Sequence, residues 1–440
     1  MTNSKPRVTV ISRLTVVSST PVKPGKSHPL SILDHSMGLH TLHIIFYYPH
    51  NEFVNIESFD LSNLRNSLSE TLSYYPPVTG RLMRDGNGNW EVKYNDAGVR
   101  IVKAKVNCSL VEWLGSASGE EEKGLAVWEE MPEDPKAWSP FQIQMNEFVG
   151  GGIAIGLSCP HTHADPACAT LLAKSWTELY RKSCISQPPF FHPPALRART
   201  TPNTMTKSVK NYVAMSSLNT PLPAKMSTCT FLFSDAMIKK SLSEVQRKCP
   251  KATPFEMLAA LFWSSINDAS SPLSICFDFR KHMHAPLPYG FFGNALHFTK
   301  VSTGGNKMED GGLDHLTEMV HDHLSAIKEE EYWSVVDWFD SKKDEDGKYA
   351  APFKMYGTEL TCVNMEHVSA YAAVLEDVKP LHVSYHIGNV EGEGVILVLP
   401  SPEEGLGRIV TVTLPEDQTD KLRKDPTILC LEPTMIVSGR

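Results

Sequence analysis

The chain has 440 residues, 41% of them hydrophobic and 21% charged, with a formal net charge of -8. That length suits two domains or one large one with sizeable cores. The acidic balance argues against nucleic acid as the main partner, since no basic excess is available to neutralise phosphates. A local basic pocket for a phosphorylated cofactor stays open. The nine cysteines are scattered without a Cys-x-x-Cys spacing. This argues against a zinc knuckle or redox pair and reads as reduced thiols in the cytosol. Met1–Thr15 has no apolar stretch of signal length, and no run of about 18 apolar residues occurs anywhere, so no transmembrane segment is expected. The C-terminal Val437-Ser438-Gly439-Arg440 matches no lipidation or retention signal.

In chain order, Arg7 to Val17 and Leu39 to Tyr48 read as strands. Asp60 is placed to cap a helix that carries Leu61, Leu64, Leu68, Leu72 and Tyr75 on one face, and Pro76-Pro77 ends it. Asp85-Gly86-Asn87-Gly88 signals a hairpin before Trp90. Phe141, Ile143, Met145 and Phe148 suggest a half-buried strand, followed by a buried strand from Gly150 to Leu157. A helix follows Pro166. Pro188 to Pro202 is rich in proline and basic residues, including Pro193-Pro194, Arg197 and Arg199, and reads as a linker or crossover. A long surface loop inside one domain is the alternative. The linker reading divides the chain into residues 1–187, a connection 188–225, and 226–440. Beyond it, Cys229 to Ser234 reads as a strand and Ala236 to Arg247 as a helix. Thr253 caps a helix from Pro254 to Asn267. Leu273 to Phe279 is a strand, Leu313 to Glu331 one amphipathic helix, and Ser341 to Gly347 a charged loop. Glu359 to Met365, Gly394 to Leu399 and Arg408 to Leu414 are late strands. Strands interleaved with helices favour an α/β or mixed α+β architecture.

The residues that could carry chemistry centre on His161-Thr162-His163-Ala164-Asp165. A histidine leaving a buried strand, with a carboxylate four residues on, can be a positioned general base. Among 17 histidines such a spacing arises by accident about once per chain, so context decides. Asp165 precedes Pro166 and can cap the following helix, which makes it a candidate for holding the loop rather than touching substrate. A core histidine satisfied by a backbone carbonyl is the alternative for His161. Three His-x-His pairs, at 161/163, 282/284 and 321/323, lack a third ligand nearby, so no metal site is expected. No Gly-x-Ser-x-Gly elbow, P-loop or dinucleotide fingerprint is present. A lone histidine base without a nucleophile suits direct transfer of an activated acyl group.

With those residues in hand, the chain resembles the plant BAHD acyltransferase family over essentially its whole length. The likeness rests on Leu61 to Leu82, on His161-x-x-x-Asp165 (with Pro166 where glycine is usual), and on Asp278-Phe279-Arg280 through Pro286-Leu-Pro-Tyr-Gly-Phe-Phe-Gly-Asn-Ala295. It implies two chloramphenicol-acetyltransferase-like domains joined by a crossover loop, with a tunnel between them. It implies acyl-CoA as co-substrate with no permanently bound cofactor, an alcohol or amine acceptor, and a cytoplasmic monomer. His161 would be the base and Asp165 would pair with Arg280. Met365 and Phe291 would border the substrate pocket. Thr253 would offer a phosphate contact at a helix N-terminus.

The late region departs from the family. Its Asp-Phe-Gly-Trp-Gly slot holds Val374-Leu375-Glu376-Asp377-Val378, where Val and Glu would resist the turn that glycines allow. Val363-Asn364-Met365 replaces a Thr-Ser-Trp-like segment. Asn364 is then a candidate oxyanion donor in place of the lost indole. This region looks like the eceriferum-type clade, whose members assist very-long-chain fatty acid elongation for wax. Three functional expectations result. The first is an acyl-CoA-dependent O- or N-acyltransferase. The second is a non-catalytic accessory of elongation with a protein partner at the endoplasmic reticulum. The third is a repurposed site using His161 for other chemistry.

Overall fold

The computed structural model describes residues 6–23, 25–49, 61–191, 199, 203, 205–219, 224–267, 269–283, 287–288, 290–304 and 312–437. Asp60, Pro193, Pro194, Arg197, Pro202, His284, Pro286, Tyr289 and Ser438–Arg440 lie outside them, as does the side chain of Leu61.

Three sheets with helices on their faces give a mixed α/β architecture. The first sheet has the order β1 (Val8–Val16), β6 (Val99–Val106), β7 (Gln142–Phe148), β8 (Ile153–Pro160), β3 (Thr41–Tyr48), β13 (His382–Ile387). Only β6 and β7 run parallel in it. Its last strand comes from late in the chain and pairs antiparallel with β3, Tyr385 opposite Ile44. The second sheet has the order β11 (Leu296–Val301), β10 (Leu273–Asp278), β12 (Thr361–Asn364), β14 (Val395–Pro400), β15 (Arg408–Pro415), β9 (Met226–Phe233), β16 (Thr434–Ile436). A small third sheet joins β2 (Ser27–Pro29), β5 (Trp90–Lys93) and β4 (Arg81–Arg84), the last two forming the expected hairpin.

Several elements differ from the expectation, each for a local reason. Gly150 and Gly151 lie outside β8: both have positive φ (85° and 97°) and make the turn that joins it to β7. Within β8 the position needing a missing side chain is Gly156, where a Cβ would meet the Leu125 carbonyl at 2.2 Å. β7 is buried on both faces, because Gln144 and Asn146 satisfy the carbonyls of Gly124 and Leu125 beneath a covering segment. The expected helix from Leu313 to Glu331 is two helices, Leu313–Ser325 and Glu329–Asp340. Acidic residues Glu329, Glu330 and Glu331 fill the first turn of the second, where the helix dipole favours them. The slot at 374–378 does turn tightly: Leu375 and Val378 exchange backbone hydrogen bonds at 3.0 and 2.8 Å. It does so with Glu376 and Asp377 in the left-handed region, at φ 49° and 60°.

The largest apolar cluster draws on the first and second sheets alike, from Val16 to Leu431, and a second, with Ile45, Tyr47, Trp113 and Phe148, lies on the other face of the first sheet. The helix Leu61–Tyr74 sets Leu64, Leu68 and Leu72 into the largest, as the spacing predicts, with Tyr75 just beyond its end. That other face of the first sheet also buries polar groups. There Glu122 accepts hydrogen bonds from Tyr47 Oη (2.5 Å) and Ser384 Oγ (2.6 Å) and lies 3.0 Å from His386 Nε2. Burial pushes the Glu122 carboxyl up, but His386 and these donors outweigh it and hold its pKa down to about 2. No helix among the described residues is long and apolar enough to cross a membrane.

Candidate active site

β8 delivers His161 into the interior. The ring follows Pro160, the last residue of that strand, and its backbone N–H donates to the His40 carbonyl at 2.9 Å. The next residues turn sharply, His163 N–H closing on the Pro160 carbonyl at 2.9 Å. Asp165 then caps the helix Pro166–Tyr180, its Oδ1 accepting the Cys168 N–H at 3.0 Å. Pro166 sits at the first helical position, where its missing N–H costs nothing.

Capping uses only one carboxylate oxygen. The other, Oδ2, lies 2.8 Å from Arg280 Nη2 and accepts the Ala295 N–H at 3.1 Å. Arg280 also pairs through Nη1 with Asp278 and donates to the Gly293 carbonyl at 2.8 Å. Burial alone would lower the guanidinium's pKa, but Asp165 and Asp278 raise it well above the ordinary value. So Asp165 is turned away from His161 and fastens the loop to residues that follow β10.

The His161 carbonyl is held as well. Asn294 Nδ2 donates to it at 2.8 Å and also reaches Asp34 Oδ1 at 2.8 Å, while the Asn294 backbone N–H donates to the same oxygen of Asp34 at 2.7 Å. Asp34 is positioned by a capping box with Ser31 at the helix Ile32–Ser36. The imidazole is fully buried, and burial lowers its pKa against weaker upward pulls from its own backbone, Asp165, Asn294 and Asp34. Nδ1 makes no hydrogen bond of normal geometry. Nε2 lies 3.3 Å from the Tyr356 hydroxyl. Burial favours the uncharged ring, and Nε2 and the Tyr356 hydroxyl are within hydrogen-bonding distance of each other. The ring is therefore neutral at pH 7, as a base must be.

His163 is not included in this arrangement. Its Nε2 faces the Pro77 carbonyl at 3.1 Å, and burial lowers its pKa to about 3. His321 meets the Glu256 carboxylate at 3.1 Å and His323 meets Thr299 at 2.7 Å, so that pair faces different partners, as helical spacing requires.

A cleft of about 600 Å³ opens at the C-terminal ends of β10 and β12, bordered by Thr253, Asp278, Arg280, Lys281, Asn364 and His367 among others. A second cavity of about 320 Å³ is lined mainly by apolar and aromatic groups, among them Ile32, Trp338, Phe339, Pro352 and Phe353. Neither counts His161 among its walls.

Four expected residues stand differently from their expected roles. Asn364 pairs in register with Phe277, while its neighbour Val363 pairs with Cys276. Cys276 is the residue that turns to Tyr356, 3.9 Å from its hydroxyl. Alternation along the strand therefore sets Asn364 on the opposite face from Tyr356 and His161. Its Oδ1 accepts the Glu366 N–H at 3.0 Å on the cleft wall. Thr253 does line the cleft, but it forms a capping box with Glu256, whose carboxylate takes the Thr253 N–H at 2.8 Å. That carboxylate occupies the helix end an anion would use. Met365 is buried and bonded through its backbone to Val398. Phe291 is buried with its ring 5.5 Å from the Arg280 guanidinium carbon, which it packs against. Neither borders either cavity. In turn, Tyr356, His40 and Asp34 do not stand out in the sequence. Only Asp34 leaves a local signal, the Ser31-x-x-Asp34 capping spacing.

Comparison with known proteins follows this geometry. The chain is 25% identical over 434 residues to a hydroxycinnamoyltransferase of Narcissus pseudonarcissus, covering 93% of this chain and 98% of that one. It is 25% identical over 443 residues to Protein ECERIFERUM 2 of Arabidopsis thaliana, covering 96% and 98%. In fold it is similar to vinorine synthase, with a TM-score of 0.72 at 18% identity over 96% of this chain and 98% of that one. It is also similar to F. graminearum TRI101 complexed with coenzyme A and deoxynivalenol, with a TM-score of 0.70 at 14% identity over 93% and 100%. The sequence profile described as the Transferase family matches residues 6–429, and the chain belongs to that family of BAHD acyltransferases.

Proposed function

We propose that the protein is an acyl-CoA-dependent acyltransferase in which His161 is the general base. The observation that carries this is the three-way hold on a buried, neutral histidine: His40 on its N–H, Asn294 on its carbonyl, and Arg280 on Asp165. Such fixation is what a positioned base requires. The acceptor's hydroxyl or amine attacks the thioester carbonyl as Nε2 takes its proton. The tetrahedral adduct collapses, and the coenzyme A thiolate leaves with that proton. Asp165 supports the loop and touches no substrate. The cleft bordered by Lys281, His282 and His367 supports entry of the phosphate-bearing donor on that side, in keeping with a structural relative complexed with coenzyme A. The division into an N-terminal domain (residues 1–187), a crossover (residues 188–225) and a C-terminal domain (residues 226–440) belongs to the same reading, as does a monomer.

Titration calorimetry with free coenzyme A tests the donor site without knowledge of the acyl group. Micromolar affinity is expected, followed by turnover in a screen of acyl-CoAs against alcohols and amines that His161→Ala abolishes. A non-catalytic accessory of very-long-chain fatty acid elongation is the alternative. It is favoured by the similarity to Protein ECERIFERUM 2 over nearly the whole chain. Full function of the His161→Ala variant in a wax-deficient background would decide for it.

A further inference from the structure

Tyr356 stands where the acceptor would have to stand. Its hydroxyl is 3.3 Å from His161 Nε2, and both side chains are fully buried. The ring is packed edge-on against Phe298 and His40, at centroid distances of 5.1 Å each. Burial raises the phenol's pKa well above its ordinary value, so the hydroxyl stays protonated and occupies the space in front of Nε2. An acceptor proton cannot pass through it stepwise, because that would require a buried phenolate.

The backbone on either side of Tyr356 is held in place. His40 Nε2 accepts from the N–H groups of Met355 and Tyr356 at 3.1 and 3.4 Å, and its Nδ1 donates to the Gly388 carbonyl at 3.1 Å. The next residue, Gly357, has φ 90°, and its carbonyl accepts the N–H groups of Glu393 and Gly394 at 2.7 and 3.2 Å, so any movement is of the Tyr356 side chain. The irregular stretch just before it, Ala350 to Phe353, walls the second cavity.

We propose that Tyr356 is a plug on the base: its hydroxyl covers Nε2 of His161, and an acceptor reaches that nitrogen only when the Tyr356 side chain moves aside. The inference rests on His161 being the base, and it makes Tyr356 a gating residue with no role in the chemical step. The test is the rate at which diethylpyrocarbonate, which attacks neutral imidazole, modifies His161, followed by peptide mass spectrometry. Exposed His315 and buried His163 serve as references within the same chain. Tyr356→Ala is expected to label His161 at least tenfold faster than the wild type, with His163 and His315 unchanged. Tyr356→Phe keeps the ring but loses the hydroxyl, and a rise of about threefold is expected from the weakened closed state. If Tyr356→Ala does not melt cooperatively, the phenylalanine variant decides alone. Labelling of His161 in the folded variants no faster than in the wild type overturns the plug. No acyl donor or acceptor enters this measurement, so it can succeed where a search for turnover fails, and the reverse.

Discussion

Arg280 and Asp165 meet at 2.8 Å with side chains only 3% and 1% exposed, joining the loop after β8 to the segment after β10. Their burial makes the pair a point of mechanical dependence. Removing the guanidinium would leave Asp165 charged in the interior without a cationic partner, while Asp278 would keep only His367, 3.3 Å away. Arg280→Ala is therefore expected to cost about 3–5 kcal/mol of stability, read from urea unfolding. A loss under about 1 kcal/mol, the scale of a solvent-exposed pair, would show that the pair is not what fastens the loop.

Asn364 offers a test of register. A true oxyanion donor costs about 10²–10³ in turnover when removed. Because Asn364 sits on the sheet face opposite Cys276 and His161, Asn364→Ala is expected to keep kcat within about threefold. A hundredfold fall would place the developing oxyanion on the cleft side of β12.

The pH dependence of activity follows from the burial of His161. Burial lowers its pKa, so the neutral, competent ring persists below the ordinary imidazole value of about 6.5. The acidic limb of a kcat/KM profile is expected to fall below that value. A midpoint above about 7 would contradict a desolvated base.

Glu122 governs acid stability on the far face of the first sheet. Its pKa is depressed to about 2, below an unfolded value of about 4.3. The unfolded state thus binds the proton first as pH falls. The stabilisation is complete above the unfolded pKa and is lost on acidification towards the folded one, about 3 kcal/mol in all. Unfolding free energies measured between pH 5 and pH 2 are expected to fall steeply for the wild type. For Glu122→Gln the slope should be smaller by about one proton. Equal slopes would remove Glu122 from the acid response.

The turn at 376–377 carries removable strain. Asp377 has φ 60° and its carboxylate is 94% exposed, with Arg181 3.7 Å away. An exposed ion pair of that length contributes little. Asp377→Gly is expected to raise stability by about 0.5–1 kcal/mol, visible as a higher urea midpoint at unchanged m-value. Glu376 is the poorer choice, since its carboxylate is bonded to the Tyr180 hydroxyl.

Local signals are strong enough to place much of this molecule. The helix at 61–74, the hairpin at Asp85–Gly88, the Thr253 cap and Asp165 at a helix start are all set by residues within a few positions of one another. The side chain of Asp165 can be assigned to its helix end for the same reason, and resemblance supplies its partner Arg280. Strands such as Val99–Val106 and His382–Ile387 leave weaker marks. The second of these alternates His382, Ser384 and His386 with Val383, Tyr385 and Ile387, the pattern of a half-exposed strand, yet both faces are buried. The burial of Ser384 and His386 depends on Glu122, some 260 residues earlier. Tyr356 against His161, Asn294 bridging Asp34 to the His161 carbonyl, and Asn364 facing away from His161 were likewise decided by tertiary structure. Each is a contact or a register between segments far apart in sequence. Side-chain periodicity tells which face a residue shares with its neighbours, but packing decides what that face meets.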